Sequence, residues 1–314
     1  MRRAKKRDVP LRVAIVGAGK VGTVLGRVLV EDGSRITAVI SRSRASARTA
    51  ASYLRCRVYA DALTAIPPET DIAFIATPHD AVAAVAETLA RLEGLEFSRM
   101  GACHASGMLT AAVLAPLEER GCTVFSFHPL QTFPRNFPVR RILPRARGIW
   151  YGVDGSPAGL RTARRLAKAL SGRVIEIPPE SRELYHAACV VASNHFTVML
   201  SAVREMFGAA TGDGRASLEP FKPILEATLL NVLATSPGAA LSGPVARGGV
   251  GTVARHLEAV RGFCPDLLPY FTRMTLETAR LASEAGSLGP ERREAIDNLV
   301  QSFLQDPILP GNRT

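Results

Sequence analysis

Two histidines stand at the ends of strand-like apolar segments, each within a short polar motif. The motif HASG begins at His104 and the motif HPLQTF begins at His128. An imidazole at the end of a strand can hydrogen-bond to a carbonyl oxygen or carry a proton. We predict His128 and His104 as catalytic candidates and the Ser106 hydroxyl as a cofactor-binding group. The alternative for each histidine is a buried structural role.

A second set of polar residues interrupts a long apolar stretch in the second half of the chain. If the stretch is a helix with about 100° per residue, four of them lie within about 80° of His186. These four are Ser193, Asn194, Thr197 and Ser201. Polar groups on a buried helix need partners, which neighbouring helices or a substrate can supply. We predict His186 and Asn194 as substrate-positioning members of the catalytic group.

A glycine-rich turn near the amino terminus joins an apolar run, LRVAIV, to a helix-like pattern. A second β-branched run, ITAVI, follows within about thirty residues, which is the context of a dinucleotide-binding turn. The three glycines permit a tight turn, close approach of a diphosphate and close packing of helix on strand. The helix amino terminus also favours phosphate. The cofactor-binding residues predicted from this turn are Gly17, Ala18, Gly19, Lys20, Val21 and Gly22.

The end of the second strand predicts that the cofactor is NADP. An NAD site commonly places a carboxylate here for the ribose, but residues 41–44 are SRSR. An arginine binds the 2′-phosphate that a carboxylate would repel. We expect Ser41, Arg42 and Ser43 to contact the cofactor; the alternative is that these residues are ordinary charges at a helix start. Thr77 and Pro78 follow the next strand and are predicted beside the nicotinamide.

The pattern of elements predicts an α/β fold followed by helices. Further strands are expected at residues 148–153 and 173–177, before two prolines at 178 and 179 break the pattern. We predict a basic tail over residues 1–10, a Rossmann-like, mostly parallel sheet over residues 11–178 and an all-helical domain over residues 179–314. Helices are expected at residues 180–204, 219–234, 249–262, 269–285 and 290–304.

Composition excludes several classes of protein. The 314 residues are 47% hydrophobic and 21% charged, unlike a disordered or collagen-like chain. No apolar run reaches the ~18 residues of a membrane span, so no membrane association is predicted. Aromatic residues make up only 6%, which argues against a nucleic-acid partner bound by stacking. The formal net charge of +11 favours solubility and an anionic small-molecule substrate.

The five cysteines show neither an even count nor CxxC spacing. This pattern predicts buried thiols in a reducing, cytoplasmic compartment and no metal site.

The motifs described above, together with YHAA from Tyr185 and GPVARG from Gly243, resemble a bacterial family of presumed NADP oxidoreductases. That family pairs a Rossmann-like domain with a helical domain of unknown function, and the resemblance covers residues 11–304. It is similar to a larger group that contains pyrroline-5-carboxylate reductase, ketopantoate reductase and 6-phosphogluconate dehydrogenase. The resemblance implies a helical domain of the 6-phosphogluconate dehydrogenase type, a homodimer formed through it, and a substrate between the domains.

Two positions depart from the pattern that the resemblance implies. The related dehydrogenases often carry a lysine one turn before an asparagine, and here Val190 stands one turn before Asn194. An acidic residue usually follows the Arg-Gly pair of the last motif, where this chain has Gly249.

We therefore predict an NADP-dependent oxidoreductase that transfers hydride between nicotinamide and a small carbonyl or imine compound. Two alternatives stay open. One is a non-catalytic NADP(H)-binding sensor or scaffold protein, which the absent lysine favours, and the other is a deazaflavin-dependent reductase.

Overall fold

Six short strands form a parallel sheet. They are β1 (Arg12–Val16), β2 (Arg35–Ile40), β3 (Tyr59–Ala60), β4 (Ile72–Ile75), β5 (Gly101–His104) and β6 (Thr123–Ser126). Their order is β3-β2-β1-β4-β5-β6, in which the direction of winding reverses between β1 and β4. Val13 and Ile15 pack into the core on one face, and Ala14 and Val16 pack on the other. Burial on both faces explains why β1 is an almost unbroken apolar run.

Helices cover the two faces of this sheet. They are α1 (Lys20–Glu31), α2 (Arg44–Tyr53), α3 (Val82–Ala90), α4 (Ala115–Glu118), α5 (Val139–Ile142) and α6 (Pro157–Ala169). Helix α6 shows how the sequence specifies such an element. Ser156 caps it by accepting a hydrogen bond from Gly159 N, and its apolar side, including Ala163 and Leu166, is buried.

The two strands expected after residue 147 do form, but they belong to a second sheet. Strand β7 (His128–Pro129) pairs antiparallel with β8 (Trp150–Val153), and β8 pairs parallel with β9 (Arg173–Glu176). The small sheet is anchored to the large one because Phe127, directly after β6, stacks on Tyr151 with ring centroids 4.2 Å apart. The result is that His128 begins a strand of its own beside the end of the main sheet.

The structure, a computed structural model, describes residues 10–305, and the predicted basic tail lies outside them except for Pro10. Two compact units divide the chain between Ser193 and Asn194. The first unit therefore extends past Pro178, because Arg182, Tyr185 and His186 pack within it. The helices from residue 182 onward are α7 (Arg182–Val190), α8 (Phe196–Thr211), α9 (Lys222–Ala234), α10 (Val250–Phe263), α11 (Leu268–Glu284) and α12 (Pro290–Gln305).

The predicted fold class is confirmed: a Rossmann-like parallel sheet is followed by a helix-rich part. Within the second unit, Val253, Leu257, Ala279 and Val300 belong to one apolar core formed by α10, α11 and α12.

The long apolar helix is less regular than the sequence suggested, and in the single chain it is largely exposed. A π-helical segment, Val191–His195, separates α7 from α8, so the angle of about 100° per residue does not hold through it. By length and composition, the helical stretch Pro179–Thr211 is long and apolar enough to cross a membrane. One such helix is weak evidence for a membrane span, and the Rossmann-like fold indicates a soluble protein.

Candidate functional site

The glycine turn after β1 forms a cradle made of backbone. Gly17 has φ +116°, and a Cβ there would stand 2.6 Å from the carbonyl of Ala76, so only glycine fits. A Cβ on Gly22 would overlap Gly17 O, whereas a Cβ on Gly19 would meet nothing within 4 Å. Two of the glycines therefore close the turn, and the third leaves its outer side open to a ligand.

The remaining residues of the turn lead into α1. Ala18 and Val21 are partly buried against the apolar core, and Lys20 is the first residue of the helix. The N-cap residue is Gly19, and no side chain caps the helix. The amino terminus of α1 thus offers backbone N–H groups to a ligand beside the open side of the turn.

The end of β2 lies beside this turn, because Gly17 N donates to Ile40 O at 2.8 Å. Ser41 and the exposed Arg42 follow directly. Ser43 is the N-cap of α2, and its hydroxyl accepts a hydrogen bond from Ser46 N at 3.4 Å. The residues that are predicted to favour NADP therefore lie next to the cradle, and the Arg42 side chain is exposed to solvent.

Thr77 carries an unsatisfied group at the end of β4. Its Oγ1 is buried and has no hydrogen-bond partner among residues 10–305, and its backbone N would be 2.8 Å from a Cβ on Gly17. Burying an unpaired hydroxyl is costly, and this atom retains the capacity to hydrogen-bond a ligand group. Pro78, the next residue, is exposed.

The sheet brings the cradle and the histidine motifs to one edge. Val16, Ile75 and His104 stand at the ends of three adjacent parallel strands, in register across β1, β4 and β5. At about 4.8 Å per strand, the glycine turn and the loop after β5 are about 10 Å apart along the edge. This edge, at the point where the strand order reverses, is where open α/β sheets bind ligands.

His104 is held entirely by backbone. Its Nδ1 accepts from Ser106 N at 3.2 Å, so its Nε2 carries the proton and donates to Thr110 O at 3.0 Å. The residue is fully buried, and this burial lowers its pKa to about 4. The geometry favours the structural alternative for His104, and its catalytic role stays a prediction. The Ser106 hydroxyl accepts from Leu109 N at 3.3 Å and so also shapes the loop.

His128 meets a tyrosine that lies far away in the sequence. Its Nδ1 is 2.8 Å from Tyr185 Oη, and β7–β8 pairing sets it opposite Gly152. A Cβ on Gly152 would overlap Tyr185 Oη, so the missing side chain provides the space for the hydroxyl. Burial, reinforced by the Arg182 guanidinium, lowers the pKa of His128 to about 4.

The absent side chain of Gly107 leaves space for a second imidazole, that of His186, next to His128. A Cβ on Gly107 would stand 2.9 Å from His128 Nε2 and 3.0 Å from His186 Nε2. The two rings lie with centroids 5.9 Å apart, and among the described residues neither Nε2 atom has a hydrogen-bond partner. We call Gly107, His128, Tyr185 and His186 the imidazole cluster.

A buried ion pair supports the imidazole cluster. Arg182 Nε donates to Gly107 O at 3.0 Å, and its Nη2 donates to Ser106 O at 3.2 Å. Its Nη1 lies 3.1 Å from Asp154 Oδ2, and both side chains are almost fully buried, at 1% and 4% exposed. Asp154 in turn accepts from Ala111 N at 2.6 Å. Three distant segments are thus locked around the loop after β5.

The structure therefore groups the predicted residues into two sets. The glycine turn with Ser41–Ser43 and Thr77 forms one set, and His104, Ser106, His128 and His186 form the other. Asn194 is exposed in the π-helical segment, at the start of the second unit. Residues 10–305 contain no group of three or more His, Cys, Asp or Glu side chains that could hold a metal ion.

Sequence reasoning missed Arg182, Asp154 and Gly152, and it gave Tyr185 only as part of a family motif. Each acts through a partner at least 24 residues away in the chain: position 152 opposes position 128, and larger separations join the others. No local spacing could have revealed these contacts. The one signal was the placement of an arginine and a tyrosine on the first turn of the helix that follows the proline pair at 178 and 179.

Comparison with protein families gives two matches. Residues 2–129 match a Rossmann-like domain, and residues 149–278 match a domain of unknown function, DUF2520. A comparison with curated protein sequences finds no match.

Several solved structures share the fold. A presumed NADP oxidoreductase from Bacteroides fragilis is 22% identical with a TM-score of 0.69, over 86% of this chain and 98% of that one. A protein from Thermotoga maritima is 23% identical with a TM-score of 0.65, over 87% and 98% of the two chains. A pyrroline-5-carboxylate reductase from Coxiella burnetii is 14% identical with a TM-score of 0.56, over 88% and 99%. These similarities establish the fold.

Proposed function

Because the chain combines a Rossmann-like domain with a DUF2520 domain, we propose that it is an NADP-dependent oxidoreductase acting on a small carbonyl or imine compound. One observation carries the proposal. The glycine cradle and the loop after β5, which carries Gly107 of the imidazole cluster, stand at the same edge of one parallel sheet, about 10 Å apart. That separation suits a cofactor whose phosphates lie at one site and whose nicotinamide lies at the other.

The residues present fit a dinucleotide. Gly19 leaves space for a diphosphate, the start of α1 offers free N–H groups, and Thr77 Oγ1 is a buried atom that needs a partner. When bound, the cofactor supplies the hydride chemistry. The protein's own residues must orient the substrate and manage the proton.

Arg42 supports NADP over NAD. It is exposed beside the glycine cradle, and residues 41–44 contain no carboxylate that would repel a 2′-phosphate. In Arg42→Asp the affinity for NADPH should fall more than about tenfold, while the affinity for NADH is retained. The matched control is Arg35→Asp, at the opposite end of the same strand, with calorimetry as the measurement. Equal NADPH affinity in both variants would refute the assignment.

His128 is the group that faces the substrate. Its Nε2 is open, whereas both ring nitrogens of His104 are engaged with backbone. We assign His128 the hydrogen bond to the reacting oxygen or nitrogen, and His186 and Asn194 the positioning of the substrate. The positive net charge of the chain, +11, supports an anionic substrate.

NADPH oxidation over a panel of small ketones, ketoacids and cyclic imines tests this function. The native protein should bind NADPH and turn over at least one class, and His128→Gln should lower kcat at unchanged NADPH affinity. Tight NADPH binding with no turnover of any compound would instead support a sensor or scaffold.

A homodimer is also proposed, supported by the apolar surface of the second unit. Helix α9 has no buried residue, and Leu229, Leu230 and Leu233 are exposed on it. Apolar helices of this kind need a covering surface, and a second copy of the chain supplies one. Light scattering should give twice the chain mass, and Leu230→Glu should give a monomer. A monomeric native protein at micromolar concentration would refute this.

We further propose the cytoplasm as the compartment, supported by five cysteines that are all free thiols.

A further inference from the structure

The Tyr185 hydroxyl is held against His128 by more than one constraint. The hydrogen bond to Nδ1 is 2.8 Å long, and the hydroxyl fills the space that Gly152 leaves on the neighbouring strand. The tyrosine ring meets the His128 ring edge-on, with centroids 5.6 Å apart. The phenol therefore has a fixed position relative to the imidazole.

The direction of that hydrogen bond follows from the groups around it. The Cys189 thiol, one turn further along α7, is another polar side chain that acts on the phenol, and together with burial, the larger cause, it raises the pKa of Tyr185. A neutral imidazole nitrogen is a better acceptor than a thiol, so the single phenolic proton points at His128 Nδ1. His128 then carries its own proton on Nε2, the atom that faces Gly107 and has no partner in the described chain.

A cation stands beside the phenol ring. Arg182 Cζ is 5.4 Å from the centroid of the Tyr185 ring, and the guanidinium is fixed by Asp154 and by two backbone carbonyls. A fixed positive charge at this distance favours a negative charge on the phenol. Burial works in the other direction and raises the pKa of Tyr185, so the phenol is protonated at rest.

We propose that Tyr185 supplies, through His128, the proton that a reduced carbonyl substrate requires. The proposal rests on the proposed function. As the carbonyl becomes an alkoxide, the Nε2–H bond of His128 breaks and an O–H bond forms on the substrate. The Oη–H bond of Tyr185 breaks and an Nδ1–H bond forms on His128. The imidazole is neutral before and after. Nδ1 then returns its proton to the phenolate beside Arg182, and Nε2 takes a proton from water, which restores the resting tautomer and leaves hydroxide for the solvent.

This relay specifies the substrate class. Reduction of a ketone or aldehyde yields an alkoxide, which needs a proton. Reduction of an iminium ion yields a neutral amine, which needs none. A protein that carries a phenol–imidazole relay with an open Nε2 is therefore suited to ketones and aldehydes, and not to preformed iminium compounds.

Tyr185→Phe tests the relay in the active protein. General acid catalysis contributes about 10²–10⁴-fold, so kcat with a ketone or aldehyde should fall by about 100-fold, with KM and NADPH affinity within about twofold of native. The matched control is Tyr151→Phe, which removes a buried hydroxyl without a partner from β8 and should leave kcat unchanged. An unchanged kcat in Tyr185→Phe would overturn the proposal.

The pH profile separates a relay from a structural role. Native kcat should be flat from pH 6 to 8, because the relay is neutral. In Tyr185→Phe the donor is the small imidazolium fraction of His128, so kcat should rise about tenfold for each unit of decreasing pH. A parallel, flat profile in the variant would contradict the relay. The ionisable groups that face His128 are Tyr185, Arg182, His186 and His104.

Nitrogen-15 NMR of histidine-labelled protein tests the relay without requiring that the protein turn over a substrate. His128 should be neutral with its proton on Nε2 throughout pH 6–8, and Gly152→Ala, which displaces the phenol, should shift its Nδ1 resonance. A proton on Nδ1 in the native protein would overturn the proposal. If the NMR spectrum is as expected but no carbonyl compound supports NADPH oxidation, the proposed function is refuted instead.

Discussion

The glycine cradle and the imidazole cluster are both candidate binding regions, but the first is built from backbone and the second from side chains. The cradle consists of backbone from one continuous turn, and its essential features are missing side chains at Gly17, Gly19 and Gly22. The imidazole cluster consists of side chains from β7, α7 and the loop after β5. It depends on a buried ion pair, Arg182 with Asp154.

This difference predicts which property, ligand affinity or folding stability, a substitution in each region will reduce. A turn whose outer side is open can lose its ligand without losing its fold. The imidazole cluster rests on the buried charges of Arg182 and Asp154 and includes His128, whose pKa is lowered by burial, so it is coupled to the stability of the whole first unit. Variants in the two regions should therefore separate cofactor affinity from the free energy of unfolding.

The largest effect is expected for Arg182→Met. It leaves the Asp154 carboxylate buried without its cation, which costs about 3–5 kcal/mol in the free energy of unfolding. Denaturant unfolding measures the loss, and the double variant Arg182→Met with Asp154→Asn should recover part of it. A loss below about 1 kcal/mol would show that the ion pair does not support the cluster.

The matching test on the cradle is Gly19→Asp. The position is open and its φ of −75° suits any residue, so the free energy of unfolding should stay within about 0.5 kcal/mol of native. The new carboxylate faces the diphosphate, and NADPH affinity should fall about 100-fold. Gly22→Ala is the contrasting variant, since its Cβ overlaps Gly17 O and should cost about 1–3 kcal/mol of stability. Native NADPH affinity in Gly19→Asp would exclude the cradle as the phosphate site.

Acid should destabilise the first unit through its histidines. His104 and His128 have folded pKa values of about 4, below the unfolded value of about 6.5. The unfolded chain binds protons first, so their contribution is complete above pH 6.5 and is lost as the pH falls toward 4. At pH 5 each should have cost about 2 kcal/mol. His104→Gln should flatten this dependence, whereas His195→Gln, at an exposed site, should not; equal slopes would contradict the assignment.

The smallest effect is expected at Thr77. Thr77→Val removes a hydroxyl that has no partner in residues 10–305, so stability should be unchanged or higher. NADPH affinity should fall about fivefold if the hydroxyl binds the cofactor. Thr37→Val is the inverse control: it leaves Thr70 Oγ1 unpaired in the core and should cost about 1 kcal/mol without affecting NADPH. If NADPH affinity is native in Thr77→Val, this hydroxyl is not a cofactor ligand.

Local patterns predicted much of the fold. The apolar runs, the glycine spacing and the helical periodicity predicted the parallel sheet, α1 and the helices of the second half, because each depends on residues close in sequence. The second sheet was not predicted, since the pairing of β7 with β8 joins segments about 20 residues apart and carries no distinctive composition. The long helix was expected to be buried within a domain or a dimer. Val191, Phe196 and Val198 are exposed in the single chain, so only the second alternative would bury them.

The sequence by itself determined most of the glycine cradle, because a positive φ at Gly17, the contact of Gly22 with Gly17 O and a helix start all lie within one continuous turn; the close approach of Ala76 to Gly17 is the tertiary exception. Only the tertiary structure decided which histidine is open. His104 and His128 are equivalent as strand-end motifs. They are told apart by Thr110 and Ser106 around one ring and by Tyr185 at the other, contacts that exist only once separate segments pack together.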